Sequence, residues 1–300
     1  MEEKGLGFSL RALCRVHYHT TMSIIGSFFQ GKSVLITGAS SGIGEELALQ
    51  LAQVGARLTL TARRRELLDG LAAKISSASK PAPLVLVADV TQDGELERAV
   101  SEALAAYGKL DVVIANAGFA VGGPIKKLSL DDYRRQFDTN VFGVLRTIFA
   151  SLPALEKSRG NLAIVGSVAG WHANPRGSPY AMSKFALRAL ANSITPELRL
   201  SGVKVTLISP GFVASNIRRV DNRGEFHADA KDHVPTWLVV PTDKACRDIL
   251  RAIARGQREA IITGHGKVLV TLERFTPWLL RIRGRKAAGR ERRRTEPASS

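Results

Sequence analysis

From Lys32 onward the chain alternates short apolar runs with longer segments of helical period, and that alternation leaves few folds open. The runs cover residues 33–37, 57–61, 84–88, 111–115, 162–165, 203–208 and 260–263, and they are rich in Val, Leu and Ile without strict polar alternation. A strand without a polar face must be buried on both sides. That is the situation of a parallel sheet covered by right-handed helical crossovers. Segments 43–54, 66–77, 92–107, 131–156, 178–200 and 243–255 supply the helices. Gly55, Gly108 and Gly202 follow three of them, where a residue in the left-handed conformation ends a helix. The expected fold is a doubly wound α/β domain over residues 31–265, with about seven parallel strands and helices on both faces.

Directly after the first run the sequence reads TGASSGIG, residues 37–44. Gly38, Gly42 and Gly44 bound a turn that opens a helix and holds Ser40, Ser41 and Ile43. Without Cβ atoms the backbone can approach a pyrophosphate, while free N–H groups and the positive end of the helix face its charge. An ordinary glycine-rich turn has the same composition, but a strand before and a helix after favour the dinucleotide reading and make the sheet one of Rossmann type. At the end of the second strand of such a fold, a carboxylate bonds the ribose 2'-hydroxyl, whereas arginine receives a 2'-phosphate. Here the strand ends Thr61-Ala62-Arg63-Arg64, with no acid and two guanidinium groups, so NADP(H) is preferred over NAD(H).

Tyr180 and Lys184 stand four apart at the start of a helical segment, on one face. A phenol titrates near pH 10 in water, so acid/base work near neutrality calls for an adjacent cation, which Lys184 supplies. Further along lie Asp89-Val90 after the third strand, Asn116-Ala117-Gly118 after the fourth, then Asn140, Ser167 and Pro210-Gly211. In that order, from residue 32 to about 265, these motifs resemble the short-chain dehydrogenase/reductase family in its single-domain branch. The resemblance implies a tetrad of Asn140, Ser167, Tyr180 and Lys184. Tyr180 would exchange a proton with the carbonyl or alcohol oxygen, Ser167 would orient that oxygen, and Asn140 would support a proton-relaying water. Lys184 would hold the nicotinamide ribose and lower the Tyr180 pKa. Asp89 and Val90 would lie at the adenine, with Asp89 on its amino group. Asn116, Ala117 and Gly118 would lie beside the cofactor, and Pro210, Gly211, Val213 and Ser215 around the nicotinamide. Three residues depart from the usual pattern: Ala115 for the first Asn of Asn-Asn-Ala-Gly, Gly166 for a frequent Ser, and Ser215 for a frequent Thr. A homo-oligomer built on the helices that begin at Asp131 and Ser178 is also implied.

The net charge of +16 raises the question of nucleic acid. Much of the excess sits in residues 281–300, and the basic, disordered tail over 284–300 lacks the interleaved aromatics and folded reading element of specific recognition. No run is long and apolar enough to span a membrane. In segment 266–283, however, Val268, Leu272, Phe275, Leu279 and Ile282 form one helical stripe beside Trp278, although Pro277 would kink or divide that helix. Such a stripe either rests on an anionic membrane surface or packs against the body or a second subunit. Residues 1–30 make a poor signal peptide and show no helical or strand period, so they are read as an extension without an assigned role. Cys14 and Cys246 have neither disulfide nor zinc spacing and suit the cytoplasm. His172, His227, His233 and His265 fall in expected loops with no metal-binding spacing. Trp171, Phe212 and Trp237 either wall an apolar pocket or pack in the core. The expected function is an NADP(H)-dependent oxidoreductase of ketones, aldehydes or secondary alcohols, with a catalytically silent NADP(H)-binding regulator as the alternative.

Overall fold

The structure, a computed structural model, describes residues 21–78, 81–227, 229–230 and 234–278. Seven strands are present: β1 Ser33–Thr37, β2 Arg57–Ala62, β3 Leu84–Val87, β4 Val112–Ala115, β5 Asn161–Val165, β6 Lys204–Ser209 and β7 Glu259–Ile261. They form one parallel sheet in the order β3-β2-β1-β4-β5-β6-β7. Strand growth reverses between β1 and β4, and in such a sheet the crevice for a ligand opens at the carboxyl ends of those strands.

The strands read as uninterrupted apolar runs because both faces are buried. In β1, Val34 and Ile36 enter one apolar core while Leu35 enters the other, and in β4 Val112 and Ile114 are parted from Val113 and Ala115 in the same way. The first core is closed by α2 (Gly42–Gln53), α3 (Arg65–Ser77) and α8 (Thr242–Ala254). The second is closed by α4 (Glu95–Tyr107), α6 (Gly143–Ser158) and α7 (Ser178–Leu200).

Two elements differ from the sequence reading. Residues 21–29, read as lacking any period, form a helix, α1, whose Ile25 and Phe29 are fully buried in the first core one turn apart. Met22 and Phe28 pack against the same core, so Met22, Ile25 and Phe29 follow helical steps of three and four that the sequence reading passed over. The single helix expected over 131–156 is three pieces: α5 (Leu130–Phe137), a π turn (Asp138–Phe142), and α6. Ser129 starts α5 through a reciprocal capping box with Asp132, and those hydrogen bonds hold the Asp132 carboxyl below its ordinary range. The last described helix is α9, Gly264–Phe275.

Candidate active site

A cavity of about 660 Å³ opens at the carboxyl ends of β1, β4 and β5. Its lining takes in every residue the sequence singled out for cofactor or catalysis except Gly44 and Asn140. The turn after β1 forms one wall. Gly38 and Gly42 have φ of +67° and +62°, and a Cβ on Gly38 would stand 2.7 Å from the Ala117 Cα. Gly44 works from behind the cavity: a Cβ there would come within 2.7 Å of Asn116 Nδ2, so its bare backbone lets α2 close on the end of β4. Asn116 joins the two strand ends, donating from Nδ2 to Thr37 O and Gly38 O, while Thr37 Oγ1 accepts from the N–H groups of Asn116 and Ala117.

No side chain caps α2; the Oγ of Ser41, like that of Ser40, instead accepts a hydrogen bond from Arg64 Nη2, at 3.0 and 3.1 Å. The first N–H groups of α2 therefore keep their donors for a ligand, and a diphosphate fits that cradle. Arg63 reaches outward, its side chain 64% exposed and its Nη1 4.0 Å from Asp89 Oδ2. The other Asp89 oxygen is taken by the N–H and hydroxyl of Thr91, so Asp89 serves its own turn as well as facing the cavity.

The far wall carries Ser167, Tyr180 and Lys184. After β5, Ser167 caps a short 3-10 turn, Val168–Gly170, by accepting from Ala169 N. That turn lies directly on α7: a Cβ on Gly170 would stand 2.6 Å from the Lys184 carbonyl oxygen. Tyr180 shares a hydrogen bond with Ser167, and burial pushes its phenol above the ordinary value against the pull of that bond. Lys184 is buried, donates from Nζ to Val165 O at 2.9 Å, and holds its ammonium 5.6 Å from the centre of the Tyr180 ring. Burial lowers its pKa to about 8. The expected lowering of the Tyr180 pKa by Lys184 is thus reversed in direction here, since the ammonium is directed at a carbonyl and desolvation of the phenol dominates. A phenol in that state is protonated at neutral pH and ready to donate.

Asn140 sits in the π turn, fully buried and outside the cavity lining. Its Oδ1 accepts from Phe119 N, and its Nδ2 donates to Phe119 O and Ser183 Oγ. The Asn140 side chain thus braces the loop after β4.

Of the two readings of Trp171, Phe212 and Trp237, the structure gives core packing for Trp171. Trp171 is buried with the Arg188 guanidinium 3.3 Å above its ring, and Phe212 stacks on His265; neither lines the cavity. Trp237 is exposed. Phe119, Ile217, Val220 and Phe226 supply the apolar lining instead. Phe119 directly follows Asn116-Ala117-Gly118, and that adjacency was the signal available for it.

His265 lies in the first turn of α9 rather than a loop, accepting from Phe212 N, and His172 pairs with Glu273 at 2.9 Å. His233 and Cys14 lie outside the described residues, and Cys246 is buried. His227 pairs with Asp221, and with Glu225 these groups come within 4.8 Å of one another, a grouping their spacing did not foretell. Hydrogen bonds from His227 and from the backbone of the same turn draw the Asp221 carboxyl down to about 2.

Over residues 32–225 the chain matches the family model described as short chain dehydrogenase. It is 33% identical over 276 residues to 11-beta-hydroxysteroid dehydrogenase A of Sesamum indicum, covering 87% of this chain and 79% of that one. The alcohol dehydrogenase of the archaeon Thermococcus sibiricus, solved with 5-hydroxy-NADP, is similar at a TM-score of 0.66 and 26% identity, over 77% of this chain and 95% of that one. A short-chain dehydrogenase/reductase from Burkholderia phymatum, solved with NAD, shares the fold at a TM-score of 0.73 and 23% identity, over 82% and 93% of the two chains.

Proposed function

The chain belongs to the short-chain dehydrogenase/reductase family of nicotinamide-dependent oxidoreductases, and we propose that it moves hydride between NADP(H) and a lipophilic ketone, aldehyde or secondary alcohol. The observation that carries this reading is the hydrogen-bonded Ser167–Tyr180 pair with buried Lys184 beneath it, in the cavity that also holds the glycine turn. Bound nicotinamide supplies or accepts the hydride. Ser167 holds the substrate oxygen, and Tyr180, kept protonated by burial, donates to it during reduction. Lys184 keeps a positive charge close to the Tyr180 ring and, once the cofactor is in place, holds its ribose hydroxyls. Asn140 braces the loop carrying Phe119; Pro210 accepts from Ser167 Oγ, and Gly211, Val213 and Ser215 also line the cavity, with Ser215 beside Gly42 of the glycine turn.

The Phe119, Ile217, Val220 and Phe226 lining supports an apolar substrate, as does the sesame relative's name, which makes steroid-sized ketones the first to try. Purified protein should oxidise NADPH with members of a panel of lipophilic ketones and aldehydes. Tight NADPH binding with no turnover on any of them would leave the silent regulator in its place. Exposed Phe142, Phe149, Met182 and Phe185, on the π turn, α6 and α7, support self-association through that side of the molecule.

Peripheral contact with an anionic membrane is part of the same proposal. No helix among the described residues is long and apolar enough to cross a membrane, yet Val268, Phe275 and Trp278 are 61%, 73% and 59% exposed. The body therefore leaves this part of the stripe uncovered; Leu279, Ile282 and the basic tail lie outside the described residues. Full-length protein should pellet with phosphatidylserine vesicles at low salt, and Phe275→Asp with Trp278→Asp should abolish pelleting. Replacing these exposed residues is cleaner than ending the chain at Gly266, which would also remove Glu273, the partner of His172. Equal pelleting of both forms would leave the stripe to a second subunit.

A further inference from the structure

We infer that Gln136 is a positioning residue for this site, fixing the Phe119 wall of the cavity through the backbone of the loop that follows β4. The inference rests on the oxidoreductase reading of the cavity. Gln136 lies near the end of α5 and is fully buried. Its Oε1 accepts from Val121 N at 2.6 Å and its Nε2 donates to Phe119 O at 2.9 Å. One planar amide thus serves a donor and an acceptor two residues apart in a loop that has no strand partner for them. Only a side chain that both donates and accepts fits that pair.

The surroundings show why the effect should be local. Phe119 is also gripped through both its N–H and its carbonyl by Asn140, one helical turn beyond Gln136. On the other side, Gly122 exchanges two hydrogen bonds of 3.0 Å with the Asn222 side chain. Removing the Gln136 amide leaves both outer grips in place, frees the Val121 N–H between them and leaves the Phe119 carbonyl with Asn140 as its one side-chain donor, so the fold survives while the Phe119 wall is held less firmly. The same network reaches the proton donor: Asn140 Nδ2 donates to Ser183 Oγ, which donates to the Tyr180 carbonyl at 2.7 Å. Cavity wall and catalytic phenol therefore share one buried polar frame.

Gln136→Met keeps the length of the side chain and removes both hydrogen bonds. With NADPH as the probe, the variant should melt as one cooperative unit and bind NADPH about as tightly as the native protein. The fluorescence of the bound nicotinamide should shift toward that of free NADPH. With whichever carbonyl the native enzyme reduces, kcat should fall at least about tenfold while KM changes little, the mark of misplaced reacting groups. Native emission and native kcat would overturn the inference, and so would a kcat loss matched by an equal loss of NADPH affinity, which marks a purely structural role. Should Gln136→Met fail to fold, Gln136→Glu keeps the acceptor for Val121 and removes only the donor to Phe119, and the same readings decide. A native protein that binds no NADPH would overturn the oxidoreductase reading and this inference together, and that result is seen before any variant is made.

Discussion

Tyr180→Phe should lower the rate of carbonyl reduction by about 10²- to 10⁴-fold while NADPH affinity stays close to native. The ring, and with it the contact that places the Lys184 ammonium 5.6 Å from its centre, survives the change; only the transferable proton is lost. Steady-state NADPH oxidation beside a fluorescence titration separates the two effects. Turnover of the variant within tenfold of native would mean that another group donates the proton. The native enzyme should also show a pH signature of fixed sign. Burial places Lys184 near 8, below its ordinary value, so it is charged at neutral pH and loses its proton as the pH rises past that point. Tyr180 is raised by burial and stays protonated over the same range. The reductive rate is therefore expected to decline above about pH 8 through loss of the lysine charge rather than of the phenol proton.

Replacing Arg63 should cost NADPH about ten- to hundredfold in affinity and leave NADH almost unaffected, the worth of one charge-assisted contact to a phosphate. Arg63 faces outward with Asp89 at 4.0 Å, so its loss disturbs little else. Arg64 is different in kind. Its guanidinium holds the hydroxyls of Ser40 and Ser41, so Arg64→Ala should weaken both cofactors by loosening the glycine turn itself. Calorimetric titration of NADPH and NADH into native protein and both variants tests the distinction. Equal native affinity for the two cofactors would refute the preference.

The contrast between these arginines shows how far the sequence could be read. Strands were legible because burial on both faces removes polar residues, and the glycine turn was legible because Gly38 and Gly42 adopt positive φ that few other residues tolerate. The Ser167, Tyr180 and Lys184 positions followed from their order along the chain. What escaped were contacts between segments far apart in sequence. Gly170 looked like any turn glycine, yet it is the point where the Ser167 turn meets α7. Trp171 could be read as pocket or core, and only the Arg188 guanidinium over its ring decides for the core. Gln136 gave no signal because a glutamine on a helix is ordinarily solvated, and nothing local reveals that this one is buried against a loop. The direction of the Tyr180 shift also depended on burial, which a four-residue spacing does not encode.

The order of the strands carries a consequence for how the molecule comes into being. β1 pairs with the nearby β2 over residues 57–61, but its other neighbour is β4, and the Ser33 N–H is held by Asp111 across 78 positions. The loop that must close before those two strands meet contains two whole crossover units, and such non-local pairing makes folding slow. β1 and β4 both lie within residues 33–115, but Ser167 after β5 and Tyr180 and Lys184 on α7 complete the cavity, so the first half of the chain does not hold it alone. A nascent or half-folded molecule has a complete glycine turn and no site. A complete cavity is therefore a property of the finished sheet, whose second half brings the Ser167 and Tyr180 wall to face the glycine turn.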